Sequence, residues 1–195
     1  MDTYTGFHHL AFVTGDMERT VRFWRDLLGM RLVYASGRPG YRQYFFSVSD
    51  RDFVSFFEWP EARRVAYRRH GSPATGPMTF DHVSIGVADR EALYRVSDLL
   101  AAADMPVSDV VDHGFVLSVY TYDPNGIPLE FTCNAPGIDI HRQPMFDDPD
   151  GPPSVHEGPD PIPDRWPEPE PLPDDERVTI LGEGWEHFSS PPDDR

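Results

Sequence analysis

The chain has 195 residues and a formal net charge of −16, and it contains no lysine, so every permanently positive side chain is an arginine. This length suffices for one domain with a core, or for two small modules that share one. The acidic excess argues against binding to nucleic acids or anionic membranes, which need a positive surface, and the absence of lysine excludes Schiff-base chemistry.

The N-terminus and the cysteine content indicate the compartment. The first residues, MDTYTGFHH, contain neither a basic region nor a long apolar stretch, so we expect neither a secretion signal nor a membrane span. Cys133 has no second cysteine with which to form an internal disulfide, which fits a reducing environment. The sequence therefore predicts a cytoplasmic protein in which Cys133 is a buried structural thiol.

The first elements are a short strand and a helix. HLAFVTGD (9–16) has the alternation of a strand and ends at Asp16, which is well placed to cap a helix. Val21, Trp24 and Leu28 follow at the spacing of one helical face. Three runs typical of strands come next, separated by turns rich in Gly, Pro and Asp: 31–36, 41–49 and 53–59.

The second half repeats this layout. HVSIGVAD (82–89) follows HLAFVTGD at an offset of 73 residues, and Asp89 is again placed as a helix cap. Leu93, Val96 and Leu100 repeat the apolar helical spacing. Three further strands are predicted, at 106–111, 114–122 and 127–133. The sequence thus predicts an α+β fold made of two paired modules, each ordered strand, helix, strand, strand, strand.

Composition sets the domain boundaries. We expect one domain over residues 1–135, with module one at about 5–60, a polar linker at 61–78 and module two at about 79–134. Of the 21 prolines, 14 lie between Pro136 and Pro192, and residues 139–195 carry 16 acidic residues against four arginines. Residues 136–195 are therefore predicted to be an extended Pro- and acid-rich tail. Its apolar residues, among them Trp166 and Trp185, predict that part of it lies along the module surface or a partner chain.

Polar groups of metal-ligand type recur in both halves. Strand parity places His82 on a face with Ser84 and Gly86, away from the apolar face, and His9 lies correspondingly in the first half. Glu58 and Glu130 each interrupt an apolar strand at the end of their module, at an offset of 72 residues. An unpaired carboxylate there is costly unless a cation satisfies it, so the four residues together predict a shared divalent metal.

Three stretches of the chain, 7–30, 80–100 and 118–131, resemble the vicinal oxygen chelate superfamily, which includes glyoxalase I, extradiol ring-cleaving dioxygenases, and bleomycin and fosfomycin resistance proteins. The resemblance implies two βαβββ modules whose sheets form a cup around a divalent metal. It also implies that the ligands come from the first and last strands of the modules, where His9, Glu58, His82 and Glu130 stand.

The resemblance leaves three functions open. With His9, His82 and Glu130 alone the ligand set suits Fe(II) and a dioxygenase acting on a small catechol-like compound, with Tyr120 and His113 handling protons. With Glu58 as fourth ligand and base, the site is similar to that of glyoxalase I, a lyase or isomerase, and suits Ni(II), Co(II), Zn(II) or Mn(II). The third is a metal-free drug-binding protein. The expected partners are a small-molecule substrate and, in a homodimer, a second copy of the chain.

Overall fold

The computed structural model describes residues 6–73, 80–162, 168 and 170–179. The chain divides into two compact units, residues 1–145 and 146–195. In the second unit, the described residues include two short 3₁₀ turns, Pro153–Glu157 and Asp174–Glu176. Trp166 and Trp185 lie outside the described residues, so the docking of the tail stays a prediction, as does the domain boundary after residue 135.

The first unit contains two four-stranded sheets, one from each half of the duplication. The elements of module one are β1 (His9–Thr14), α1 (Met17–Val21) continuing as a π-helix over Arg22–Leu27, β2 (Leu32–Arg38), β3 (Tyr41–Ser47) and β4 (Phe53–Glu58). They form a sheet of order β1-β4-β3-β2, in which β1 and β4 are parallel and the other neighbours antiparallel.

The elements of module two are β5 (Val83–Gly86), α2 (Arg90–Ala102), β6 (Val111–Asp112), β7 (Val116–Tyr122) and β8 (Pro128–Asn134). They repeat the topology of module one with the order β5-β8-β7-β6, again with the first and last strands parallel. The predicted α+β architecture of two paired modules is confirmed. No helix in the described part of the chain is long and apolar enough to cross a membrane.

Both predicted helix caps are present. The Asp16 carboxylate accepts the Arg19 N–H at 2.9 Å, and the Asp89 carboxylate accepts the Ala92 N–H at 2.8 Å, which satisfies backbone donors that the first helical turn leaves unpaired. The apolar faces that follow lie in the core, where Trp24, Leu93 and Leu100 are fully buried. Packing of one helix against each sheet therefore follows from the sequence pattern.

One predicted strand is largely absent. Residues 106–111 run beside β7, but only the last of them, Val111, belongs to β6. Pro106 has no N–H to give, and the Tyr120 N–H donates to the Ser108 hydroxyl at 2.9 Å rather than to a backbone carbonyl. The Thr121 hydroxyl donates to the Pro106 carbonyl at 2.6 Å. The Ser108 N–H still donates to the Tyr120 carbonyl at 3.0 Å, so one backbone hydrogen bond remains along this edge and side-chain hydrogen bonds supplement it.

A buried polar network joins the two modules. Asp123, fully buried in the turn between β7 and β8, accepts the Asn125 and Ile127 N–H groups at 2.8 and 2.9 Å, and the Trp24 indole N–H of module one at 3.5 Å. The Asn125 side chain bonds to the Thr14 hydroxyl at 2.7 Å. Burial raises the pKa of Asp123, which its hydrogen-bond donors oppose. The turn therefore fixes the position of one module against the other.

We expect Asp123→Ala to lower the free energy of unfolding by about 2–4 kcal/mol, since it leaves two buried backbone N–H groups and the Trp24 indole unpaired. Urea unfolding followed by circular dichroism would measure this. Asp98→Ala, at an exposed position of α2, is the control and should change stability by less than about 0.5 kcal/mol. Equal stability of the two variants would show that the turn network does not hold the modules together.

Candidate functional site

The two sheets present their polar groups on the faces that strand parity predicted. Along β1, His9, Ala11 and Val13 are exposed while Leu10 and Phe12 are partly buried against the core. Along β5, Val83 and Ile85 are buried while Ser84 and Gly86 are exposed. The faces opposite the helices are therefore open and are lined by small, polar and ligand-type side chains.

The centre of the candidate site is the pair formed by His82 and Glu130. The His82 Nε2 atom lies 3.2 Å from Glu130 Oε2. The pairing of β5 with β8 brings this about, because Glu130 stands directly beside Ser84, two residues along the chain from His82. An imidazole nitrogen and a carboxylate oxygen therefore converge on one point of the polar face, as two ligands of one divalent ion would.

The Glu130 side chain is almost completely buried, with 7% of the residue exposed. Burial alone would raise its pKa, but hydrogen bonds from Ser118, Ser84 and Tyr120, together with the neighbouring His82, outweigh burial and lower it. Glu130 is consequently a carboxylate at neutral pH. The site gives the Glu130 carboxylate hydrogen-bond donors and the His82 imidazole. Among the described residues, no arginine forms an ion pair with it.

Tyr120 and His113 extend this pair into a chain of polar groups. The Tyr120 hydroxyl lies 2.7 Å from His113 Nε2 and also bonds to Glu130. Burial, followed by the hydrogen bond to Glu130 and its charge, raises the pKa of Tyr120 to about 12. The phenol thus stays protonated at neutral pH and has both an acceptor, Glu130, and a titratable imidazole, His113, within hydrogen-bond reach.

Asp81 orients His82 from the side opposite Glu130. Its Oδ1 atom lies 2.7 Å from His82 Nδ1 and accepts the Gly71 N–H at 3.0 Å, while its Oδ2 atom lies 3.2 Å from an Arg68 nitrogen. A carboxylate on Nδ1 fixes the tautomer that leaves Nε2 free to bind, an arrangement typical of metal-ligating histidines. Asp81 therefore ties His82 to the linker.

A cavity of about 580 Å³ opens beside these groups. The residues that line it come from the linker, from the edge before β6 and from β7: Arg69, His70, Gly71, His82, Pro106, Val107, Ser108, His113, Tyr120 and Tyr122. The ring of His70 packs 4.7 Å from Tyr120 and 5.0 Å from Tyr122. Burial and the nearby His82 lower the pKa of His70, so its imidazole is neutral. The walls are thus largely aromatic and suit a planar ligand.

His9 lies elsewhere in the same chain. Its ring contacts are His8 at 5.2 Å and Phe45 at 5.2 Å, whereas those of His82 are His70 and Tyr120. Across residues 6–73, 80–162, 168 and 170–179, no three His, Cys, Asp or Glu side chains are grouped closely enough to hold a metal. A single chain therefore brings His82 and Glu130 together but does not add His9.

The strand register corrects the equivalence of Glu58 and Glu130 that the offset of 72 residues predicted. In module two, Ser84 pairs with Glu130, and in module one the equivalent Ala11 pairs with Ser55. Glu58 pairs with Thr14, three positions further along β4, so it lies on the other face of the strand. The counterpart of Glu130 in module one is Ser55, and that of Tyr120 is Phe45.

Glu58 is engaged at the start of α1. Its Oε1 atom accepts the Met17 N–H at 2.7 Å, and Oε2 forms an ion pair with Arg42. Only 12% of its side chain is exposed, so it is sheltered from solvent. Both carboxylate oxygens thus have partners within the protein, a backbone N–H at a helix N-terminus and a guanidinium group. These partners explain why a charged Glu58 is stable in this sheltered position without a metal.

Comparison with known families agrees with this architecture. Residues 6–131 match the family model described as the glyoxalase/bleomycin resistance protein/dioxygenase superfamily. The chain belongs to this superfamily. Its members generally bind a divalent metal, which fits the donor pair of His82 and Glu130.

Individual relatives match between 65% and 73% of the chain. A lactoylglutathione lyase of Haemophilus influenzae is 28% identical over 131 residues, which are 65% of this chain and 90% of that protein. A superfamily domain from Frankia sp. has a TM-score of 0.58 at 16% identity, covering 68% of this chain and all of that domain. A fosfomycin resistance protein from Mesorhizobium loti has a TM-score of 0.52 at 19% identity, covering 73% of this chain and 100% of its own.

Sequence patterns missed Asp81, His70 and Arg69. Asp81 precedes His82 directly, and parity would have placed it on the opposite face, but β5 begins only at Val83 and the alternation does not yet apply. His70 and Arg69 lie in the linker, which has no periodicity. The Asp-His dipeptide itself was the one available signal, because a carboxylate beside a ligand histidine is a common orienting group.

The pKa of Tyr120 provides a direct test of the site electrostatics. Glu130→Gln removes a negative charge that disfavours tyrosinate, so it should lower this pKa from about 12 toward the ordinary value of 10.0. Because the pKa of Tyr120 is higher in the folded protein than in the unfolded chain, the protonated phenol stabilises the fold. This stabilisation is complete below the ordinary pKa of 10.0 and is lost as the pH rises through about 12.

Ultraviolet titration of tyrosinate, with the Tyr120→Phe curve subtracted, would report this pKa. Glu58→Gln is the matched control and should leave it unchanged, since Glu58 bonds to Met17 and Arg42 instead. A Tyr120 pKa that does not move in Glu130→Gln would mean that the carboxylate is not its neighbour in solution.

Proposed function

We propose that this protein is a metal-dependent dioxygenase of the superfamily, acting on a small aromatic compound with two vicinal oxygens. The observation that carries the proposal is the strand register, which leaves Ser55 where a second carboxylate would stand. The donor set is then two histidines and one carboxylate, which suits Fe(II) and leaves positions open for a substrate and O₂.

His82 and Glu130 would hold the metal, with His9 as the third ligand. The fit rests on the convergence of His82 Nε2 and Glu130 Oε2, on the ionised state of Glu130 and on the orientation of His82 by Asp81. With one carboxylate, the loaded site would carry a net positive charge and attract an ionised catechol. When bound, Fe(II) would supply the redox chemistry that brings O₂ and an aromatic ring to reaction.

The chain's own residues position the substrate and its protons. Tyr120, protonated at neutral pH, would donate a hydrogen bond to a substrate oxygen near Glu130. His113, 2.7 Å from that hydroxyl, would accept or return the proton as the substrate ionises. The rings of His70 and Tyr122 would pack on the planar face of the substrate and exclude water.

A second copy of the chain would supply His9. Within one chain, the described residues do not group His9 with His82 and Glu130. The module-one face around His9 also exposes apolar groups, with Val13 at 49% and Tyr34 at 52%. A two-fold dimer that places this face over the cavity of the partner would cover them and create two identical sites.

A lyase of the glyoxalase I type is the alternative, favoured by the relatedness to the Haemophilus influenzae lactoylglutathione lyase. It would recruit Glu58 as a fourth ligand and as the base that moves a substrate proton. For that, Glu58 would have to leave both the Met17 N–H and Arg42. A metal-free drug-binding protein is the third possibility.

Metal analysis and oxygen uptake distinguish these functions. After anaerobic purification and loading with Fe(II), we expect oxygen consumption on members of a catechol panel. Glu130→Gln should lower metal affinity by about a hundredfold or more, whereas Glu58→Gln should retain the metal and lose only stability. Tight Ni(II) or Zn(II) without oxygen uptake, together with metal loss in Glu58→Gln, would establish the lyase instead. Absence of metal uptake would favour the hypothesis of a metal-free drug-binding protein.

Mixing two inactive variants tests the shared site. His9→Ala and His82→Ala should each bind little metal alone, but their heterodimer contains one site with both histidines intact. After unfolding and refolding together, roughly a quarter of the wild-type metal content and activity should return. A mixture of His82→Ala and Glu130→Gln is the control and should stay inactive, since both residues lie in one module. No recovery in the first mixture would place the whole site within one chain.

A further inference from the structure

Arg69 is the one permanently charged residue among the described residues that line the cavity beside His82. It belongs to the linker between the modules, to which the sequence patterns assigned no function. The same cavity is lined by His113 and Tyr120, the groups argued above to handle protons. A residue with a fixed positive charge therefore lines the volume in which a substrate would lie.

The backbone around Arg69 is held firmly at the cavity. The Tyr122 hydroxyl donates to the Arg68 carbonyl at 2.6 Å, and the Ser72 hydroxyl donates to the Arg69 carbonyl at 2.7 Å. Two residues further on, the Gly71 N–H donates to Asp81, the residue that orients His82. The position of Arg69 is thus fixed relative to both the cavity wall and the ligand histidine.

Two other arginines of the linker, Arg64 and Arg68, have partners within the protein. Arg68 pairs with Asp81 at 3.2 Å, and the Arg64 guanidinium lies 4.2 Å from the centre of the Tyr67 ring. Across the described residues, no carboxylate forms an ion pair with Arg69, whose side chain is exposed. In a chain with 33 acidic and 17 basic residues, an arginine left without an acidic partner at a cavity is available for an anionic ligand.

We propose that Arg69 binds a carboxylate substituent of the substrate and so makes the enzyme selective for acidic aromatic compounds. This inference rests on the proposed function, because it assumes that the cavity receives the substrate. A guanidinium group offers two parallel N–H donors to a carboxylate, which fixes the ring in one orientation. The chelating oxygens would then point to His82 and Glu130, and the charged substituent to the linker.

Binding of a non-chelating pair of probes tests Arg69 apart from catalysis. Phenylacetate and phenylacetamide have the same shape and differ in charge, and neither needs the metal or O₂ to bind. By isothermal titration calorimetry on the full chain, wild type should prefer the carboxylate by about tenfold or more. Arg69→Gln should abolish this preference and Arg69→Lys should keep part of it. Arg64→Gln, in the same linker, should match wild type.

The outcomes separate this inference from the proposed reaction. Equal binding of the two probes by wild type, or an unchanged preference in Arg69→Gln with a wild-type circular dichroism spectrum, would overturn the role of Arg69. A preference that depends on Arg69, found in a protein that consumes no oxygen with any catechol, would keep the anion site and remove the dioxygenase. Where oxygen uptake is present, Arg69→Gln should lower kcat/KM about tenfold or more for carboxylated catechols only.

Discussion

The ionised side chain of Glu130 is the constraint on which the candidate site depends. A carboxylate buried in the central part of a sheet is costly unless it is paired or hydrogen-bonded. Here it receives Ser84, Ser118 and Tyr120 as donors and lies beside His82. The three donors come from β5 and β7, the two strands that flank β8, and His82 directly precedes β5, so the sheet itself builds the environment that keeps Glu130 charged.

The duplication explains why only one half carries such a site. The same strand pairing in module one puts Ser55 in place of Glu130 and Phe45 in place of Tyr120, while His9 is retained. At these two positions its face therefore has neither a carboxylate nor a phenol. Two halves that have diverged in this way are complementary: one offers a carboxylate, a phenol and a histidine, the other a single histidine and aromatic surface. Such complementarity gives a physical reason for the two faces to meet, whether in one chain or across two.

Hydrophobic periodicity and the repeat were enough to predict the topology, the helix caps at Asp16 and Asp89, and the face on which His9 and His82 lie. They were not enough to align Glu58 with Glu130. An alignment by residue offset assumes that the connections in the two modules have the same length. The strand pairing shows that they do not, because the number of residues between the helix and the last strand differs between the modules. A carboxylate three positions away then lies on the opposite face, where Met17 and Arg42 take both its oxygens.

The position of the linker could not be predicted from the sequence, because the linker has no periodic pattern and is held by tertiary contacts alone. Asp81 bonds to His82, to Gly71 and to Arg68. One side chain therefore fixes both the orientation of His82 and the position of the linker residues at the cavity wall. Arg69 lies between Arg68 and Gly71, which both bond to Asp81, so a substrate bound by Arg69 would contact a segment that also holds His82. In the proposed enzyme, substrate selection by Arg69 and the orientation of His82 toward the metal would therefore be coupled through Asp81.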